Sequence, residues 1–137
     1  MWAHYDYSNY PNVKVNFEEN IKDESEFTDF LNKWLELYKK QQKFTFIFDT
    51  TNVGLIHVSY CYKLKKFISQ LRQLPNQYLE KSIIIVSNKY IKHLLGIIFK
   101  ITKPLAKVYI YNLDKEDKKY DINILLDNIN NNKIDMF

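Results

Sequence analysis

Acid, hydroxyl and amide side chains meet in one short stretch, Phe44-Thr-Phe-Ile-Phe-Asp-Thr-Thr-Asn52. A mostly apolar run leads into Asp49, and Thr50, Thr51 and Asn52 follow it. An acid at the end of a buried strand stands where open α/β sheets place their ligands. Asp49 is therefore the first candidate for acid–base chemistry. No partner acid, metal-ligand set or general base can be named to complete it. Asx and Thr side chains also satisfy the backbone donors of a loop, and ending a strand is the role expected of Asp49. His4, His57 and His93 are scattered, none at ligand spacing with Cys61 or a carboxylate. Phosphate-binding glycine loops, nucleophile elbows and paired-histidine zinc motifs are absent, and the chain holds only two glycines. Cys61 is the single cysteine, so no disulfide framework or paired-cysteine metal knuckle can form. Neither an enzyme nor a bound cofactor or metal is expected.

With 137 residues, 46% hydrophobic and 16% aromatic, the chain suits one domain with one core over residues 1–137. Nineteen of its 20 basic residues are Lys; Arg72 is the exception. Lys, Asn, Ile and Tyr are all abundant, as AT-rich coding produces, and this accounts for much of the net charge of +4. The functional alternative is attraction to phosphates or to an anionic membrane face, with Lys acting as a point charge. Specific nucleic-acid reading is not expected. The N-terminus has no signal pattern, and no apolar run approaches the ~20 residues of a membrane span. An intracellular, reducing location, cytoplasmic and peripheral to membranes, is expected.

Strand and helix patterns alternate. Val13 to Phe17 alternates as a half-exposed strand. Asp23 and Glu26 have capping-box spacing, and Phe27, Phe30, Leu31, Trp34, Leu35 and Tyr38 then form one face of a helix ending near Gln41. Phe44 to Phe48 is a second strand. Ser59 to Leu74 is a second helix with Cys61, Leu64, Ile68 and Leu71 inside, stopped by Pro75. Ser82 to Ser87 is apolar throughout its centre, as in a strand covered on both faces. Asn88 caps a third helix, Lys89 to Ile101. Lys107 to Asn112 is a fourth strand, and Asp121 to Asn130 a final helix with a fraying Asn run behind it. The β-α-β-α-β-α-β-α order predicts an α/β fold: one mostly parallel sheet of four to five strands flanked by helices. The first strand is a candidate for an antiparallel edge.

The third helix is too apolar for a helix that only rests on a sheet. Tyr90, Ile91, Leu94, Leu95, Ile97, Ile98, Phe99 and Ile101 cover roughly 200° of its circumference, where about 100–140° suffices. Tyr90, Leu94 and Ile98 lie near the centre of that arc and are expected to pack inward. Leu95 and Phe99 lie toward one edge and are the candidates for surplus. The surplus must face another helix, a partner protein or a lipid.

Phe46 to Val53 through Leu74-Pro75, then Ser82 to Asn88, the apolar helix, Lys103-Pro104 and Lys107 to Ile110, resembles the carboxyl-terminal half of a CRAL-TRIO domain. The resemblance covers roughly residues 44–112 and lies in the order and spacing of these pieces. After Pro75, Asn76-Gln77 stands where the family has Glu-Arg, and Lys89 stands where it has Pro. The resemblance implies non-catalytic binding of a lipid or of a phosphoinositide-containing membrane surface. It implies a gate helix whose Tyr90, Ile91, Leu94, Leu95, Ile98 and Phe99 contact acyl chains, with Lys103 and Lys107 at a headgroup phosphate. The layout is also similar to the STAS domain, a protein-interaction fold. That alternative implies a protein partner held through helix 89–101 and a regulatory phosphosite at Ser59.

Overall fold

The computed structural model describes residues 1–113, together with Asn123, Leu126 and Asp135–Met136. Two strands open the chain. β1 (Ala3–Asp6) pairs antiparallel with β2 (Asn12–Phe17), and β1 forms the sheet's first edge. β3 (Phe44–Asp49), β4 (Leu79–Val86) and β5 (Lys107–Asn112) then add in order, each parallel to its predecessor. The five strands form one sheet, which the two-residue β6 (Asp135–Met136) extends by antiparallel pairing with β5. Three helices link the parallel strands: α1 (Glu24–Lys39), α2 (Ser59–Arg72) and α3 (Lys89–Ile101).

The expectation of a mostly parallel sheet holds, and the strands expected at 44–48, 82–87 and 107–112 are parallel neighbours in it. It missed β1, so the antiparallel edge belongs to residues 3–6 and the 13–17 strand runs parallel to β3. The β4 strand also starts three residues early, at Leu79. The helix expected at 121–130 and the Asn run lie outside the described residues, save for Asn123 and Leu126, which are helical.

Each helix begins or ends for a local reason. The Asp23 carboxylate accepts the Glu26 backbone N–H at 3.2 Å and starts α1. The Ser25 hydroxyl, and then that N–H, hold the Asp23 carboxyl below its ordinary pKa. Gln41 takes a positive φ of 54° just past the end of α1. Asn88 caps α3 by accepting the Ile91 N–H at 2.8 Å.

Strand order fixes which face the helices occupy. Parallel crossovers are right-handed, so successive crossovers stepping the same way across a sheet lay their helices on the same side. Val13 and Val15 of β2, Phe44, Phe46 and Phe48 of β3, and Val108 and Ile110 of β5 accordingly share one core with Phe30 and Trp34 of α1, Ile68 of α2 and Ile91 of α3. The alternate residues Ile47, Ile83 and Ile85 look the other way. They are fully buried in a second cluster with Leu113, against which Tyr109, Tyr111 and Leu126 pack. β3 and β4 are thus covered on both faces.

Phe46 sits at the centre of the larger core, with no exposure and with the Trp34 ring edge-on at 5.1 Å. Truncation there should cost about 3–5 kcal/mol, the range for a large aromatic removed from a packed interior. Urea unfolding of Phe46→Ala measures this; a loss below about 1 kcal/mol would mean that the centre of the sheet is not close-packed.

Candidate functional site

The helix-facing row Val13–Phe46–Ser82–Val108 crosses the sheet in register, and Ser82 is its one small residue. Ala106, just before β5, is small as well. Beneath α2 and α3 this shortage of side chain leaves an apolar cavity of about 150 Å³. Phe27, Phe30 and Trp34 of α1, Leu64 and Ile68 of α2, and Ile91, Leu94, Leu95, Ile98 and Phe99 of α3 line its helical side. Its polar lining is sparse. Thr50 commits its hydroxyl to the Ile85 carbonyl at 2.7 Å. Burial pushes the Cys61 thiol pKa up and keeps it a neutral, apolar-like wall group.

The side chains around this unfilled apolar space forgo contacts that a filled core would give them.

Of the eight residues that the resemblance implies for lipid contact, five line this cavity: Ile91, Leu94, Leu95, Ile98 and Phe99. Three do not. Tyr90, expected to pack inward, is 40% exposed. It sits in the first turn of α3, and its hydroxyl accepts the Ile56 N–H at 3.2 Å and donates to the Ile56 carbonyl at 3.4 Å. Tyr90 therefore clamps the loop before α2, a role that the apolar periodicity hid. Lys103 is exposed, and its carbonyl accepts a hydrogen bond from the Arg72 guanidinium. Lys107 is exposed and alternates with Val108 and Ile110, so it projects from the sheet face opposite the cavity. A headgroup held by Lys107 and an apolar chain in this cavity would lie on different sides of the sheet.

Leu95 and Phe99, the expected surplus, face another helix. They are half-buried against Cys61, Leu94 and Ile98, in a cluster that also takes in Leu64 of α2. The wide apolar arc of α3 thus meets two surfaces, the sheet and α2, with the cavity between.

At the carboxyl edge, Asp49 ends β3 and accepts both the Thr51 N–H at 3.0 Å and the Thr51 hydroxyl at 2.6 Å. Among the described residues no group of three His, Cys, Asp or Glu side chains could hold a metal ion. The described parallel strands never reverse order, so they form no switch-point crevice of the kind that holds nucleotides. Gly54 donates its N–H to the Glu19 carbonyl at 2.8 Å, and a Cβ there would come within 3.2 Å of that oxygen. Ser59 opens α2 half-buried, and its N–H and hydroxyl both bond His57 Nδ1, at 3.1 and 2.8 Å. With Val58 in a helical conformation, His57 serves as the cap that Val58 cannot be.

No family model, curated protein or solved structure matches the chain. No helix among the described residues is long and apolar enough to cross a membrane.

Two substitutions probe this geometry. Ser82→Val partly fills the cavity and should raise stability by about 1–2 kcal/mol, at ~0.8 kcal/mol per buried carbon; thermal unfolding reads this as a higher Tm, and a lower Tm would mean the site is already packed. Tyr90→Phe removes the clamp on Ile56 and should cost ~1 kcal/mol. Amide exchange should then accelerate in residues 53–58, and unchanged exchange there would show the loop held by other contacts.

Proposed function

We propose that this chain is a minimal CRAL-TRIO-like domain that binds an apolar ligand without transforming it. The cavity beneath α3 carries the reading, because five of the expected gate-helix residues line it. Its size sets the ligand class. Sites for drug-sized molecules run to ~300–1,000 Å³, and an apolar void of ~150 Å³ takes a benzene-sized group. The cavity therefore accepts one short apolar segment, such as part of an acyl or isoprenoid chain, with the rest of the ligand outside. A phosphoinositide headgroup on Lys103 and Lys107 fits poorly with this, since Lys107 faces away. A STAS-like interaction module would instead present the apolar face of α3 to a partner, yet Ile91, Leu94 and Ile98 are already buried.

Native mass spectrometry of the purified full chain, followed by solvent extraction, tests the proposal. The expected result is a co-purifying apolar molecule, or a Tm that rises on titration with medium-chain fatty acids and does so less in Ser82→Val. A bare chain whose Tm ignores such chains overturns it.

A further inference from the structure

Charge along this chain is segregated. Between Asp49 and Asp114 stand ten Lys and Arg residues and a single acid, Glu80. α2 and α3 contain no Asp or Glu at all, whereas α1 carries Glu24, Glu26, Asp29 and Glu36. Because the helices form one layer, their outer surface grades from acidic at α1 to uniformly basic at α2 and α3. Lys65, Lys66, Lys89 and Lys100 are exposed and make no ion pair among the described residues. Lys63 differs, being held by Glu24 at 2.7 Å.

The same surface carries exposed apolar side chains at one end. Leu55 is 80% exposed, Val58 50% and Tyr62 57%. All three lie in or just after the loop that Tyr90 ties to α3, and Leu55 and Tyr90 line one shallow depression. On α3, Gly96 leaves an open notch among Lys89, Lys92, His93 and Lys100, where an added Cβ would touch nothing within 4 Å.

We infer that the outer face of α2 and α3, tipped by Leu55, Val58 and Tyr62, docks on an anionic lipid surface. Apolar side chains at one end of a lysine-bearing face match the boundary between headgroups and acyl chains. Nucleic acid fits less well. Leu55 and Val58 offer a phosphate backbone nothing, and the one arginine, Arg72, is engaged with the Lys103 carbonyl. The inference rests on the ligand-binding reading for its purpose, since it names where an apolar ligand would be taken up, but its test is separate. Each lysine near such a surface strengthens binding about fivefold, the equivalent of ~1 kcal/mol.

The full chain is sedimented with vesicles of phosphatidylserine and phosphatidylcholine, with phosphatidylcholine vesicles, and separately titrated with single-stranded RNA. The expected result is binding to the phosphatidylserine vesicles that falls as salt rises. Lys65→Glu/Lys66→Glu should weaken it at least ~25-fold and Leu55→Ser/Val58→Ser about tenfold, both with wild-type Tm. Lys89→Glu/Lys100→Glu on the other helix supplies a second charge variant should the first unfold. Ser82→Val should bind vesicles normally while taking up less apolar ligand, which separates failure of the surface from failure of the cavity. Absence of vesicle binding, RNA binding in its place, or vesicle binding indifferent to all three surface pairs overturns the inference.

Discussion

Three phenylalanines on one face of β3 hold the larger core together. Phe44, Phe46 and Phe48 alternate with Thr45 and Ile47 and meet the aromatic stripe of α1, with Trp34 in ring contact with two of them. Trp2 and Phe17 join from the edge of the sheet, their rings tilted against each other at 4.5 Å. Each fully buried side chain of this kind contributes about 1.5–3 kcal/mol, and well-placed ring pairs add ~0.5–1.5 kcal/mol. This slab fixes where α1 sits, and its Phe30, Trp34 and Phe48 also line the cavity. Elements that follow are built out from it.

Moving away from the slab toward β5, the packing changes character. Aromatic residues give way to aliphatic ones, Ser82 and Ala106 shorten the floor, and α2 and α3 bridge the gap above it. The cavity is lined from both sides of this change, by Trp34 and Phe48 as well as by Ile84 and Val108. Below its floor, Ile83 and Ile85 are buried on the second face of the sheet. A void above a doubly covered strand resists collapse better than one above an exposed strand, because the floor cannot buckle into solvent.

Much of this architecture was legible in the residues. The Asp23 and Asn88 caps, the aromatic stripe of α1 and the apolar runs of β3 and β4 place their elements within a few positions, and α3 and β5 fall on the expected bounds. β1 was not legible, because four residues ending in a charge form a strand only through pairing with β2. Tyr90 was misplaced because a helical wheel knows the angle of a side chain but not whether its turn overhangs the sheet. Lys107 was legible after all, since alternation with Val108 and Ile110 sends it to the opposite face; the family resemblance outweighed that parity. The cavity could not be seen in advance. It depends on how closely two helices seat on the sheet, and no spacing records that.

Strand order has one more consequence, for how the chain folds as it is made. Each strand from β2 to β5 pairs with the one before it, so none must wait for a later segment to start its ladder. The sheet can grow by accretion, one crossover at a time, in the order of synthesis. Each parallel ladder nonetheless closes over a whole helical crossover, and pairing of this kind is slow to form. Its hazard is a growing front that exposes a fresh, apolar strand edge at every stage, first β3 and then β4, until β5 and its short antiparallel partner seal it.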